Sequence, residues 1–451
     1  MKVKKSKNVI SWKEKIAFGL GDAGCNFIWT VVGSFLTLYY TDNVGISAAV
    51  IGIIMLVTRI FDGVSDLVMG EIIDHTHTKW GKARPWILFT APFMMIGLIF
   101  LFNVPTGFST TGKIVYATIT YIFLTVFVFT ACSLSYYTLP SLISNCQDDR
   151  TVLNSVRFIF NMITALIISY AAVPLVKSVG WGKMSAVYAV SGMVFLLITF
   201  FGTKERVTME ECNIENKSSL GIGESLRLLL KNKYFIYLVI LFTMTNCANG
   251  VIGGMTIFFV RDVMKNESIY GTMMMCGMLP VILGMLIFPS LARRFGKWKC
   301  MIAGFILQII GFIIIYFCAT NTIVVLVASA IKGLGGVPAS AGLYALIGDV
   351  VDYGEWKNDV RLDGLTYSVS SFGMKVGTGL GAAILGWGLA IGKYTAGAAT
   401  QSAYTLQAFK ILFSLIPLVL IVIAMIALLR TNLDKIFPQI QKELEERRNK
   451  K

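Results

Sequence analysis

Arg59, Asp62 and Asp66 stand at i, i+3 and i+7 in the stretch Leu56–Trp86, LVTRIFDGVSDLVMGEIIDHTHTKWGKARPW. At 100° per residue their side chains fall within about 60° of one another on one helical face. On a soluble helix such a face is a solvated stripe. Here the flanks, VIGIIML before and LVMG after, are apolar enough for a bilayer, where a central charge costs roughly 3 kcal/mol even on a lenient insertion scale. Two readings stand: an Arg59–Asp62 clamp between helices, or a buried cation site with two carboxylates, which one arginine cannot neutralise alone. Lys375 lies well inside a later apolar run, YSVSSFGMKVGTGLGAAILGWG, where Gly373, Gly377 and Gly381 form a groove for close helix packing. A lone lysine at that depth either snorkels to the surface or takes a carboxylate, and the acid left over on the Asp62–Asp66 helix is the natural candidate.

Other polar groups interrupt apolar runs. In GLGDAGCNFIW, Asp22 and Asn26 project to one side of a glycine-rich helix, either as a solute-facing pair or as a capping carboxylate on a packed helix. FTACSLSYYTLPSL offers hydroxyls and rings at Ser133, Tyr136 and Tyr137, which suit the rim and apolar face of a sugar and are equally common at a membrane interface. Arg157 opens a further helix as NSVRFIFN. The acidic run Gly348–Asp363, GDVVDYGEWKNDVRLD, is either a solvated loop or a latch. In the second reading Asp349, Asp352 and Glu355 pair with basic turns of the other half, such as the one carrying Arg84. His75 and His77 have no Cys, Asp or Glu grouped around them at ligand spacing, which argues against a metal. The eight cysteines are scattered and read as free thiols.

These residues need helices to place them, and the composition says of what kind. With 55% hydrophobic and 14% charged residues, against about 25% charged in soluble domains, the chain reads as an all-α integral membrane protein. Twelve apolar runs recur, near 16–40, 48–73, 84–104, 112–142, 153–178, 182–202, 234–261, 269–291, 298–318, 321–349, 364–392 and 406–430. The net charge of +15 is unevenly spread: 30 of the 40 Lys and Arg fall in segments on the N-terminal side of the membrane and 6 in the opposite loops. That asymmetry predicts cytoplasmic termini and a cell-membrane (plasma or inner-membrane) location, and no basic, aromatic domain for nucleic acid stands apart. The expected organisation is a six-helix bundle over 1–202, a cytoplasmic linker over 203–233, a second bundle over 234–430 and a tail over 431–451, with a short amphipathic helix at Leu433–Arg447. The turns KWGKAR (Lys79–Arg84) and RFGKWK (Arg294–Lys299) follow the second and eighth helices, their glycines 215 residues apart, as a duplicated unit requires.

GLGDAGCNFIW, LYYTDNVG, RIFDGVSDLVMG with KWGKARPW, and GDVVDYGEWKNDVR with YSVSSFGMK together resemble the glycoside–pentoside–hexuronide:cation symporter family, the group of the melibiose permease, within the major facilitator superfamily. The resemblance runs over Glu14–Arg430. It implies the major facilitator fold, with Asp62 and Asp66 as ligands of a coupling Na+ or H+, Lys375 beside them and Arg157 near the sugar; the shared helix face adds Arg59 as a further partner of the cation site. The chain departs from melibiose permease at Cys25 and Asn26 (a lysine–aspartate pair there), at Cys132 and Tyr136 (a sugar-binding aspartate and a tryptophan) and at Ser65 (an asparagine between the carboxylates). The expected sugar site therefore comprises Asp22, Asn26, Cys132, Tyr136 and Arg157, without galactoside specificity carried over. The function so read is sugar uptake (a glycoside, oligosaccharide or pentoside) by cation symport and alternating access, with no other cofactor and no need of an oligomer. The rivals are a carrier of a hexuronide or other anionic or amphipathic solute, a non-transporting sugar sensor, and a membrane enzyme. No nucleophile constellation or GxxxxGK[ST] loop supports the last.

Overall fold

The computed structural model describes residues 10–144, 146–206, 222–358, 363–398, 400–431 and 433–449. Each long apolar run forms a helix: α1 (Trp12–Val44), α2 (Ala48–Asp74), α3 (Arg84–Leu101) and α4 (Thr110–Ile143) come first. A continuous stretch, Gln147–Gly202, is broken at Gly180, whose φ of 80° and ψ of 169° no helix contains. Its membrane-length portion of 51 residues is enough for two crossings of about 20 residues each. The halves are α5 (147–179) and α6 (181–202). After a short helix at Ile222–Lys231 come α7 (Lys233–Val263), α8 (Tyr270–Phe295), α9 (Lys297–Phe317), α10 (Thr322–Asn358), α11 (Asp363–Ile391) and α12 (Ala403–Arg430). Among the described residues, then, eleven helices are long and apolar enough to cross a membrane, and the break at Gly180 makes them twelve crossings. Large apolar side chains such as Leu286, 77% exposed, and Phe317, 79% exposed, point outward, as they do when the surrounding solvent is lipid. The chain is a multi-pass membrane protein.

Contacts sort the chain into two compact units, Met1–Val32 with Val64–Glu215, and Gly33–Gly63 with Asn216–Lys451. In the first, the start of α3 is held by a residue far along the chain. The Glu205 carboxylate accepts the backbone N–H groups of Lys82, Ala83 and Arg84 at 2.8, 3.0 and 2.9 Å. These are donors that a helix N-terminus otherwise leaves unsatisfied, and the negative charge suits the positive end of the helix dipole. Gly81 is required twice over: its φ is +106°, and a Cβ there would sit 2.3 Å from the same carboxylate. Arg206 forks onto Glu14 with two bonds of 2.8 Å, tying the segment after α6 to the start of α1. The expected linker thus begins as ordered structure at 203–206, while 207–221 lies outside the described residues.

In the second unit a core of Phe235, Phe242, Phe305, Phe312, Ile347 and Ile421 joins α7, α9, α10 and α12. The tail helix, Leu433–Asn449, buries Leu433, Ile440 and Leu444 against that core, and Glu443 accepts the Trp356 indole N–H at 2.6 Å. As far as Asn358 the acidic run is helix, not loop. α10 continues through it to Asn358, because Val350, Val351 and Tyr353 still face the core while Asp349 pairs with Lys297; Asp359 is not among the described residues. The repeat surfaces in backbone detail. Gly296 also has a positive φ, +85°, and α1 and α7 both end in a π-helical turn, YYTDNV and FVRDV.

Candidate functional site

The site is built around Asp62, which is only 1% exposed. Arg59 Nη1 donates to its Oδ2 at 3.2 Å, and Lys375 Nζ reaches Oδ1 at 3.0 Å and the Asp62 carbonyl at 3.2 Å. All three belong to the second unit. The contact depends on close approach of α11 to the first half of α2, and glycines permit it. A Cβ on Gly379 would lie 2.8 Å from Arg59 Cβ, one on Gly386 2.3 Å from the Ala48 carbonyl, and one on Gly52 3.1 Å from Ala383 Cα. The groove that the sequence places at Gly373, Gly377 and Gly381 receives α7, with Gly377 and Gly381 each a would-be 2.5 Å from a carbonyl of Thr243 or Cys247. α11 therefore has two glycine faces, one for α7 and one for α2. Snorkelling of Lys375 is ruled out by its ion pair.

A carboxylate shared by two basic groups is an exchange site in chemical terms. Any cation arriving at Asp62 competes with an ammonium that can swing away on a flexible four-carbon stem, whereas the Arg59 fork three residues back stays put. Asp66 follows one turn along α2 and is partly buried. Ser65 Oγ donates to Thr130 Oγ1 at 3.4 Å.

In the first unit Arg157 lies 4.0 Å from Asp22 Oδ2, and its guanidinium stands 4.8 Å above the Tyr137 ring. Arg157 Nε is buried and has no hydrogen-bond partner among the described residues. The other expected sugar ligands are engaged in the fold. Asn26 donates to the Asn161 carbonyl at 2.7 Å and accepts from Thr30 at 2.8 Å. Tyr136 is fully buried, stacks on Phe18 at 4.8 Å and donates its hydroxyl to the Phe18 carbonyl at 2.7 Å. Cys132 is also fully buried, and Cys25 nearly so. As placed here Tyr136 and Cys132 are packing residues, whereas Tyr137 is 48% exposed and carries the Arg157 guanidinium on its ring. Asp22 and Arg157 are the pair brought together.

Two of the expected latch residues have partners within their own units. Arg84 donates to the Phe200 carbonyl at 2.6 Å through Nη2 and stacks on the Phe200 ring, while Asp349 pairs with Lys297. Asp352 and Glu355 follow on α10, partly buried. A cluster that the sequence reading did not single out lies in the second unit: Arg261 donates to Asp42 at 2.6 Å, to Asp262 at 2.8 Å and to the Tyr394 hydroxyl at 2.8 Å, and that hydroxyl donates to Asp42 at 2.5 Å. Burial pushes the Tyr394 phenol above its ordinary range, so it keeps its proton. The matching positions of Asp42 in LYYTDNVG and Arg261 in FFVRDV, each at the π turn of its half, are the signal that could have found it.

Residues 17–435 match the family model described as MFS/sugar transport protein. Among curated proteins the chain is 35% identical to the isoprimeverose transporter of Lactiplantibacillus pentosus, covering 98% of this chain and 93% of that one. It is also 35% identical to the putative glycoside/cation symporter YagG of Escherichia coli (strain K12), covering 91% and 90%. The crystal structure of the nucleoside transporter NupG superposes with a TM-score of 0.63 at 17% identity, over 93% of this chain and all of that one, a likeness of fold.

Proposed function

The chain belongs to the MFS/sugar transport protein family, and from that premise we propose that it takes a small neutral glycoside into the cell together with a coupling cation. Alternating access between its two halves carries both, and both termini face the cytoplasm. Similarity to an isoprimeverose transporter and to a glycoside/cation symporter supports the substrate class. The observation that carries the mechanism is the double engagement of Asp62 by Arg59 and Lys375. With Asp66 counted, two basic and two acidic side chains sum to zero. An added Na+ or H+ is then accommodated only if Lys375 gives up Asp62, so that cation binding and release of the lysine become one event. In this reading Asp62 and Asp66 hold the cation with Ser65 between them. Asp22 and Arg157 meet the sugar hydroxyls, and the Tyr137 ring lies under its apolar face. Coupling is reciprocal: whatever tightens the cation tightens the sugar by the same factor.

The experiment is uptake of labelled neutral glycosides, xylosides and galactosides among them, into proteoliposomes under an imposed Na+ or H+ gradient. Accumulation of one of them driven by one gradient and abolished by its collapse is expected. Equal uptake with and without either gradient would exclude symport.

A further inference from the structure

Arg59, Lys332, Lys375 and Lys410 are basic residues set well inside apolar runs. Arg59 and Lys375 share Asp62. Lys332, in the middle of α10, has different company. Its Nζ stands over the rings of Phe312 and Phe413, at 5.4 and 5.5 Å from their centroids, and it makes no ion pair among the described residues. Two aromatic faces steady an ammonium but leave its charge uncompensated. Beside it opens a cavity of about 220 Å³, lined from α7, α8, α9, α10 and α12 and lying wholly within the second unit. None of its lining residues belongs to the Asp62 cluster.

The cavity wall sorts by chemistry. Lys332, Ser329, Gln308, Asn249 and Thr256 contribute the polar groups, the Thr256 hydroxyl already donating to the Ile252 carbonyl; Met274 and Met278 supply much of the apolar side, and no carboxylate lines it. Ser329 is 1% exposed and its Oγ has no hydrogen-bond partner among the described residues, although a buried hydroxyl is ordinarily paired. Ser329 and Lys332 are i and i+3 on one helix, so hydroxyl and ammonium face the same volume. The volume is several times the roughly 30 Å³ that one water occupies, which is room for an organic solute. We propose that this cavity binds a small hydroxylated carboxylate, its carboxylate on Lys332 Nζ and Ser329 Oγ and its hydroxyls on the amides of Asn249 and Gln308. An ammonium with an orphaned hydroxyl beside it completes its bonding with an acceptor-only anion. The methionines supply an adaptable surface for the carbon chain.

The test is calorimetric binding to the full-length protein in lipid nanodiscs, with D-glucuronate as probe and D-glucose as its uncharged counterpart. Glucuronate should bind, and glucose should bind at least about tenfold more weakly, as loss of one charge-assisted hydrogen bond requires. Lys332→Met should erase that preference, Lys332→Arg should keep most of it, and Ser329→Ala should weaken glucuronate several-fold while leaving glucose unchanged. If Lys332→Met does not yield folded protein, Ser329→Ala and Lys332→Arg decide the matter by the same criterion. Absence of glucuronate binding to the wild type, equal binding of the two probes, or unchanged binding to the variants would overturn the proposal. Gradient-driven uptake of a neutral glycoside reads the Asp62 mechanism separately, so that failure of one reading is distinguishable from failure of the other.

Discussion

At the scale of single residues, the charge on Asp62 decides two things that mutation can separate. If Asp62 serves cation coupling, Asp62→Asn should still insert and still exchange sugar across the membrane without an energy source, but should no longer concentrate it. Comparing counterflow with gradient-driven accumulation in vesicles measures the difference. A purely structural clamp forecasts something else. Removing one partner of a buried pair costs about 3–5 kcal/mol, so folded protein would be lost and would return when Lys375→Met is added. A well-expressed Asp62→Asn carrier that still accumulates sugar with its ion dependence unaltered would refute the cation site. Arg157 offers a second test. Its Nε is buried without a hydrogen bond among the described residues and its guanidinium lies on the Tyr137 ring, a donor suited to a sugar hydroxyl. A charge-assisted bond of roughly 1.5–3 kcal/mol means that Arg157→Ala should raise the sugar Kd by about 10–100-fold. Unchanged affinity at normal membrane levels would remove Arg157 from the sugar site.

The elements matter through how closely they approach. The Lys375–Asp62 pair exists because α11 presents Gly379 and Gly386 to α2, while Gly373, Gly377 and Gly381 let the same helix lie against α7. Gly379→Leu would place a Cβ 2.8 Å from Arg59 Cβ and push α11 off α2, an overpacking cost of about 1–3 kcal/mol. A lower melting temperature is expected, together with weakened coupling, since the lysine is displaced as well. Gly253→Ala on α7 is the control. Nothing lies within 4 Å of the added methyl, and exchanging glycine for alanine in a helix interior gains about 1 kcal/mol in propensity, so its melting temperature should hold or rise. Equal melting temperatures for the two variants would mean that helix approach does not limit stability here.

For the whole molecule, orientation follows from the distribution of basic residues, not from any contact. Lys217, outside the described residues, lies between α6 and α7 on the side predicted to be cytoplasmic. A Lys217→Cys protein should resist an impermeant thiol reagent added to intact cells and react once the membrane is opened. Prompt labelling from outside would invert the topology and, with it, the direction assigned to transport.

The sequence by itself was enough for the membrane class, for the twelve apolar runs, and for the one helix face that carries Arg59, Asp62 and Asp66. Composition and the 3.6-residue period determine these, and lipid leaves no other place for such stretches. The doubled basic turn also pointed to the repeat before the matching π turns of α1 and α7 were seen. Only the tertiary structure decided the partners. It gave Lys375 to Asp62, divided the glycines of α11 between two neighbours, turned Tyr136 and Cys132 inward, and joined Asp42, Arg261, Asp262 and Tyr394 across more than two hundred residues. In a soluble helix the polar stripe marks the side that faces water, so the buried face can be read directly. In a helix apolar on every side, lipid and protein neighbours are chemically alike, and small residues mark close contact without naming the helix contacted.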